Sequence, residues 1–175
     1  HCTAIFLLLI IAGCNPVQKK PLSGKRVRIM KPVVLSDIRS IGEIPVPADY
    51  KRVLHQSRSF GEWLRTIRLK EDKTVYLYNG MMKPNQSAQF AVLDISVSKK
   101  DLQQCADAVM RHRSEYLFNQ RNYDEIAFMD YNGKWYKWQG GSNRNKFDSY
   151  LENVFGWCGS ASLEKQLRPV SNIEN

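Results

Sequence analysis

The chain has 175 residues, 43% hydrophobic and 25% charged, the balance of a folded protein rather than a disordered one. Its net charge of +9 suggests nucleic acid until it is mapped. Residues 15–40 hold Lys19, Lys20, Lys25, Arg26, Arg28, Lys31 and Arg39 against Asp37 alone, so +6 of the excess sits in one segment. The four cysteines form no Cys-x-x-Cys and the histidines number three, which excludes a zinc site built at ligand spacing. Neither metal nor cofactor is expected.

Ala4 to Cys14 is a run of eleven uncharged residues ending Ile11-Ala12-Gly13-Cys14. It is too short for a membrane-spanning helix of about 20 residues but suits a signal-peptide core. It resembles the lipobox of bacterial lipoproteins, in which the cysteine sulfur takes a diacylglycerol and the peptide before it is removed. The resemblance implies lipidation at Cys14, a membrane partner through that anchor, and a place in the cell envelope facing periplasm or cell surface. Asn15 in place of aspartate favours outer-membrane sorting. The chain opens at His1 without preceding basic residues, so residues 1–13 read as an amino-terminally incomplete signal peptide. Residues 14–43 then read as lipidated cysteine and basic tether, with Pro16, Pro21, Pro32 and Gly24 against helix. Positive charge there favours an anionic surface, and export removes nucleic acid as a partner.

From Ile44 the pattern becomes that of a domain, expected over 44–175. Ser59-Phe-Gly-Glu62 is a capping-box pattern opening a short helix with Phe60, Trp63, Leu64 and Ile67 on one side. Thr74–Tyr78 is a predicted strand stopped by Asn79-Gly80, and Gln89–Val97 alternates with Ala91, Leu93, Ile95 and Val97 on one face. These two strands are expected to pair. Ser98–Asp101 predicts a cap for a long helix to about Asn119, with Leu102, Cys105, Ala106, Val109, Met110, Tyr116 and Leu117 inward and His112 at the surface.

Ile126–Tyr131, Asn132-Gly133 and Lys134–Trp138 predict a hairpin with a two-residue turn. That register sets Met129 opposite Tyr136 and Asp130 opposite Trp135. One face would then carry Ala127, Met129, Tyr131, Tyr136 and Trp138, the other Ile126, Phe128 and Trp135. A helix with Phe147, Tyr150, Leu151, Val154 and Phe155 inward follows, breaking near Gly156–Gly159. A last short helix is capped by Ser160 or Ser162 and ended by Pro169. The fold class expected is α+β: a small, mostly antiparallel sheet, a long amphipathic helix and shorter carboxy-terminal helices.

Ser59–Arg65, Val75–Gly80, Asp101–Met110 and Cys158–Leu163 together resemble an uncharacterised family of bacterial lipoproteins classed as a domain of unknown function. Longer members continue into a Gly-His-apolar strand similar to that of papain-like cell-wall amidases and peptidases. This chain reaches Asn175 without one, which implies a domain incomplete at its carboxyl end.

Two functional readings stand beside each other. In the first, Trp135, Tyr136, Trp138 and Arg144, with Gln139 and Asn143, stack on sugar rings and bond their hydroxyls. The protein would then bind cell-wall or surface glycan, or an envelope partner. In the second, the chain is the amino-terminal part of a papain-like cell-wall amidase or peptidase, and whether it is an enzyme stays open. Cys158 before Gly-Ser at a helix start could gain thiolate character, yet only His55 and His112 could orient it. Asp94, Asp124, Glu125 and Asp130 could pair for glycoside hydrolysis only across a cleft. Cys105 and Cys158 read either as free thiols or as a disulfide, which an oxidising compartment permits.

Overall fold

The computed structural model describes residues 38–168. The apolar run, Cys14 and nearly all of the basic segment lie outside them. The fold class is the expected α+β: helices α1 (Phe60–Thr66), α2 (Cys105–Asn119), α3 (Arg144–Trp157) and α4 (Ser160–Glu164), with strands β1 (Ala127–Met129) and β2 (Trp135–Lys137) as an antiparallel pair. Residues 38–43, expected in the tether, pack into the domain. Ile38 is buried, Ser40 bridges Arg68, and a 3-10 turn spans Ile41–Glu43.

The cap on α1 forms where expected. Ser59 Oγ accepts the Glu62 amide at 3.3 Å, while the Glu62 carboxylate reaches back one residue further than the pattern implies, to the Arg58 amide. Helix α2 starts at Cys105, later than Asp101, because the Asp107 carboxylate takes the Gln104 amide at 2.9 Å. Ser98 instead accepts the Lys100 amide in a local turn. The inward face differs from the expected stripe as well: Asp107, Met110, Arg111, Ser114 and Leu117 are buried, whereas Cys105 and Val109 are exposed.

Thr74–Tyr78 and Gln89–Val97 do not pair with each other. The first segment folds back through a Tyr76–Met82 bridge; the second lies against residues 68–70, with Lys70 N–H to Val92 O and Asp94 N–H to Arg68 O both 2.8 Å. Gln86 closes the first hairpin with its side chain, donating to Val75 O and accepting Val75 N–H, both at 2.9 Å. A Gln in the strand gap thus supplies the bonds a neighbouring strand would have made.

The β1–β2 hairpin is also one residue longer in its turn than expected. Gly133 N–H donates to Asp130 O, Asp130 N–H donates to Lys134 O, and Gly133 has φ +90°, while Asn132 is not in the left-handed region. That is a three-residue loop closed by glycine, not the paired left-handed turn Asn-Gly often makes. Asp130 holds it: its Oδ1 accepts the amides of Asn132 at 2.9 Å and Lys134 at 3.0 Å. The register becomes Phe128 opposite Tyr136 and Met129 opposite Trp135. A slip of one residue exchanges the faces, so Ile126, Phe128, Tyr136 and Trp138 all turn inward.

These four meet α3 in the core. Phe147, Leu151 and Val154 are fully buried, joined by Met110 and Leu117 of α2 and by Cys158 and Leu163. Gly140 makes room for the Trp138 indole, which a Cβ would strike at 2.1 Å, and Trp138 Nε1 donates to Gly141 O. Gln166 of the last turn donates to Met129 O and accepts Met129 N–H, both at 3.0 Å, covering the outer edge of β1.

Replacing Asp130 by Ala leaves two turn amides without their acceptor, and urea unfolding is expected to show a loss of about 1–3 kcal/mol. Unchanged stability would contradict the role given to this carboxylate.

Candidate functional site

The aromatic residues chosen from the sequence do not come together. Tyr136 and Trp138 are core side chains, buried because of the register just described, while Trp135 is half exposed on the opposite face of β2. Arg144 is taken up by Glu115, two near-parallel bonds of 2.5 and 2.6 Å, and by Asp148 at 3.2 Å. Donating to the Glu115 carboxylate raises the guanidinium's pKa. Asn143 caps α3 by accepting the Lys146 amide. Only Trp135 and Gln139 of the set remain free to meet a ligand from outside.

Among the described residues Cys105 and Cys158 are free; Cys105 is exposed at the start of α2 and Cys158 is buried in the core, so no disulfide joins them. Burial pushes the Cys158 thiol up to about 11, and the nearby carboxylates of Asp130 and Asp107 push the same way. That is the reverse of the environment an attacking thiolate needs. Asp130 serves the turn and Glu125 faces Arg113 at 3.6 Å, so these carboxylates have separate structural employments. Among the described residues, no group of three or more His, Cys, Asp or Glu could hold a metal ion.

A cavity of about 220 Å³ lies instead where the two expected strands fail to pair. Val75, Leu77, Ala91, Leu93 and Ile95 form its aliphatic wall, α2 contributes Ala108 and His112, and Gln103 comes just before α2. The charged lining is Lys70, Asp101 and Lys100, the last paired with Glu152 at 2.7 Å. Alternation along Gln89–Val97 signalled this apolar face; that it would line a cavity rather than a strand pair was not visible in it.

Two residues of the wall carry buried polar atoms without a hydrogen-bond partner: Gln103 Oε1, an acceptor, and His112 Nδ1, an acceptor or a donor according to the ring's tautomer. Expected at the surface, His112 is half-buried between the cavity and the ring of Trp63, 6.3 Å away edge-on. Trp63 and Phe60 of α1 in turn pack on Tyr116, whose hydroxyl donates to Arg58 O. Burial lowers the His112 pKa, the Arg111 charge lowers it further, and Glu115 opposes both.

The fold and site define an α+β domain with an apolar lateral cavity backed by His112. Residues 41–143 match the family described as Domain of unknown function (4846), and the chain belongs to that family. The match takes in the cavity and the hairpin but stops before α3, which supplies Phe147, Leu151 and Val154 to the same core. No curated protein and no solved structure matches the chain.

Two measurements follow from these environments. In the native protein, iodoacetamide at pH 8 is expected to modify Cys105 and spare Cys158, read by peptide mass; equal labelling would contradict the burial of Cys158. Because the folded-state pKa of His112 lies below its unfolded value, its neutral form contributes fully above about pH 6.5. Stability is expected to decline as pH falls from there toward the folded-state pKa, and a His112→Gln variant should lose that part of the slope in urea titrations. An identical slope would contradict it.

Proposed function

We propose that this protein is a lipid-anchored component of the bacterial cell envelope whose domain receives an apolar group of an envelope partner in the cavity beside α2. One observation carries the binding half of this reading: an aliphatic cavity whose wall keeps two polar atoms, Gln103 Oε1 and His112 Nδ1, unpaired. Buried polar atoms left so cost about 1–3 kcal/mol each. A ligand that carries an N–H or O–H into the wall recovers part of that cost, after a small rotation of the amide or imidazole.

Size and lining select among ligands. At about 220 Å³ the space exceeds the ~150 Å³ that accommodates benzene, yet falls short of the ~300 Å³ typical of the smallest whole-ligand sites. It suits one aliphatic or aromatic side group. A sugar ring would leave hydroxyls unpaired against Val75, Leu77, Leu93 and Ile95. The partner reading is therefore preferred to the glycan reading, which loses two of its aromatic rings to the core. The cell-wall amidase reading draws no support from Cys158, whose thiol is held protonated.

The anchoring half rests on the lipobox-like run before Cys14 and on the basic segment after it. Each Lys or Arg of such a segment contributes ~1 kcal/mol at an anionic surface.

The cavity is tested with indole, a single side-group-sized ring system that carries an N–H. One equivalent is expected to bind in a calorimetric titration, and Ala108→Phe, which fills the cavity, should weaken binding about tenfold with little change in Tm. Equal binding by the variant would remove the cavity as a site. For the anchor, intact mass of the mature protein from membranes should show a chain starting at lipid-modified Cys14; an unmodified thiol would contradict it.

A further inference from the structure

Residues 73–93 contain Lys73 and Lys83 and neither Asp nor Glu. The same stretch holds Tyr76, Tyr78, Met81, Met82 and Phe90, each between 45% and 61% exposed. Their placement follows from the hairpin. Gly80 N–H donates to Leu77 O and Leu77 N–H to Met81 O, with Gly80 at φ +83°. This is the same three-residue loop that closes β1–β2, and it is built on the same tripeptide, Tyr-Asn-Gly. Val75 and Leu77 are half-buried at the cavity, Tyr76 lies across from Met82, and Tyr78, Met81 and Met82 crowd the loop.

We propose that this loop, Tyr78 to Met82, is a membrane-contacting tip that seats in the headgroup region of an anionic bilayer. Two observations select a lipid surface as the occupant. Tyrosine rings with a polar end and an apolar body, beside lysines, form the chemistry that favours the interface of a bilayer. Between Asp72 and Asp94 the charged side chains are Lys73 and Lys83 alone, a positive sign around the tip that complements anionic headgroups. The proposal shares the envelope compartment with the anchoring reading but needs no lipid on Cys14.

The test is hydrogen–deuterium exchange on the full chain carrying Cys14→Ser, with and without vesicles of phosphatidylglycerol and phosphatidylcholine in equal amounts. The amides of Tyr78, Asn79 and Met82 have no acceptor among the described residues, so they exchange freely in solution. With the vesicles they should slow about fivefold or more, and Met81→Ser/Met82→Ser should abolish that slowing while α3 amides stay protected. Unchanged exchange at the tip, or equal slowing in the double variant, would overturn the proposal. Equal slowing on phosphatidylcholine alone would overturn its anionic half. Cys14 carries no lipid in this experiment and the apolar run before it is the same in both variants, so the difference between them reports the tip rather than the anchor.

Discussion

The carboxylate of Asp130 decides which side of the hairpin is the inside. By accepting two loop amides it stabilises a three-residue turn over a two-residue one, and that single residue sets the register of every side chain that follows. With Phe128 opposite Tyr136, the hairpin presents Ile126, Phe128, Tyr136 and Trp138 to α3. Burial of each such side chain contributes about 1.5–3 kcal/mol, so the face exchange moves several such contributions at once. Trp138 depends further on Gly140, whose missing side chain lets the indole fold back and donate to Gly141 O.

A second constraint acts on α2, whose inward face is unusually polar. Asp107 holds the Gln104 amide at its start, and Arg111 pairs with Glu115 at 2.9 Å while both are largely shielded from water. Glu115 also receives the fork of Arg144, tying α2 to the start of α3. These pairs orient the helix so that His112 and Ala108 face residues 74–97 rather than the main core. The hairpin closed by Gln86 and the segment lying on residues 68–70 meet through a side chain at one end, where Gln89 Nε2 donates to Lys73 O at 2.8 Å and to Gln86 Oε1 at 3.1 Å. Beyond that clasp their backbones do not pair, and the cavity lies between them. Structure and proposed binding therefore have one origin, an α2 face that cannot pack like an ordinary aliphatic stripe.

Local signals were legible in the sequence wherever the competing interactions were also local. Ser59 and Glu62 marked the start of α1, and Phe147, Leu151, Val154 and Phe155 marked the buried face of α3. The α+β class followed from the alternation of such segments. Misreadings arose where one side chain overruled a pattern. Asn132-Gly133 is compatible with two loop lengths, and the choice lies with Asp130, outside the dipeptide. The start of α2 was read at Asp101 and the Asp107 cap placed it at Cys105, while the expected apolar stripe gave way to a face that buries Asp107 and Arg111. Gln86 and Gln166 act as strand neighbours through their amides, a role that no periodicity announces. The candidate aromatic site failed for the same reason as the register, whereas the unpaired atoms of Gln103 and His112 become visible only once neighbours are in place.

Interstrand proton contacts measured by NMR probe the register most directly. The account predicts close Hα–Hα contacts between Met129 and Trp135 and between Ala127 and Lys137, the non-hydrogen-bonded pairs of this hairpin. Contacts pairing Met129 with Tyr136 and Asp130 with Trp135 would contradict it, returning Trp138 and Tyr136 to the face opposite Phe128.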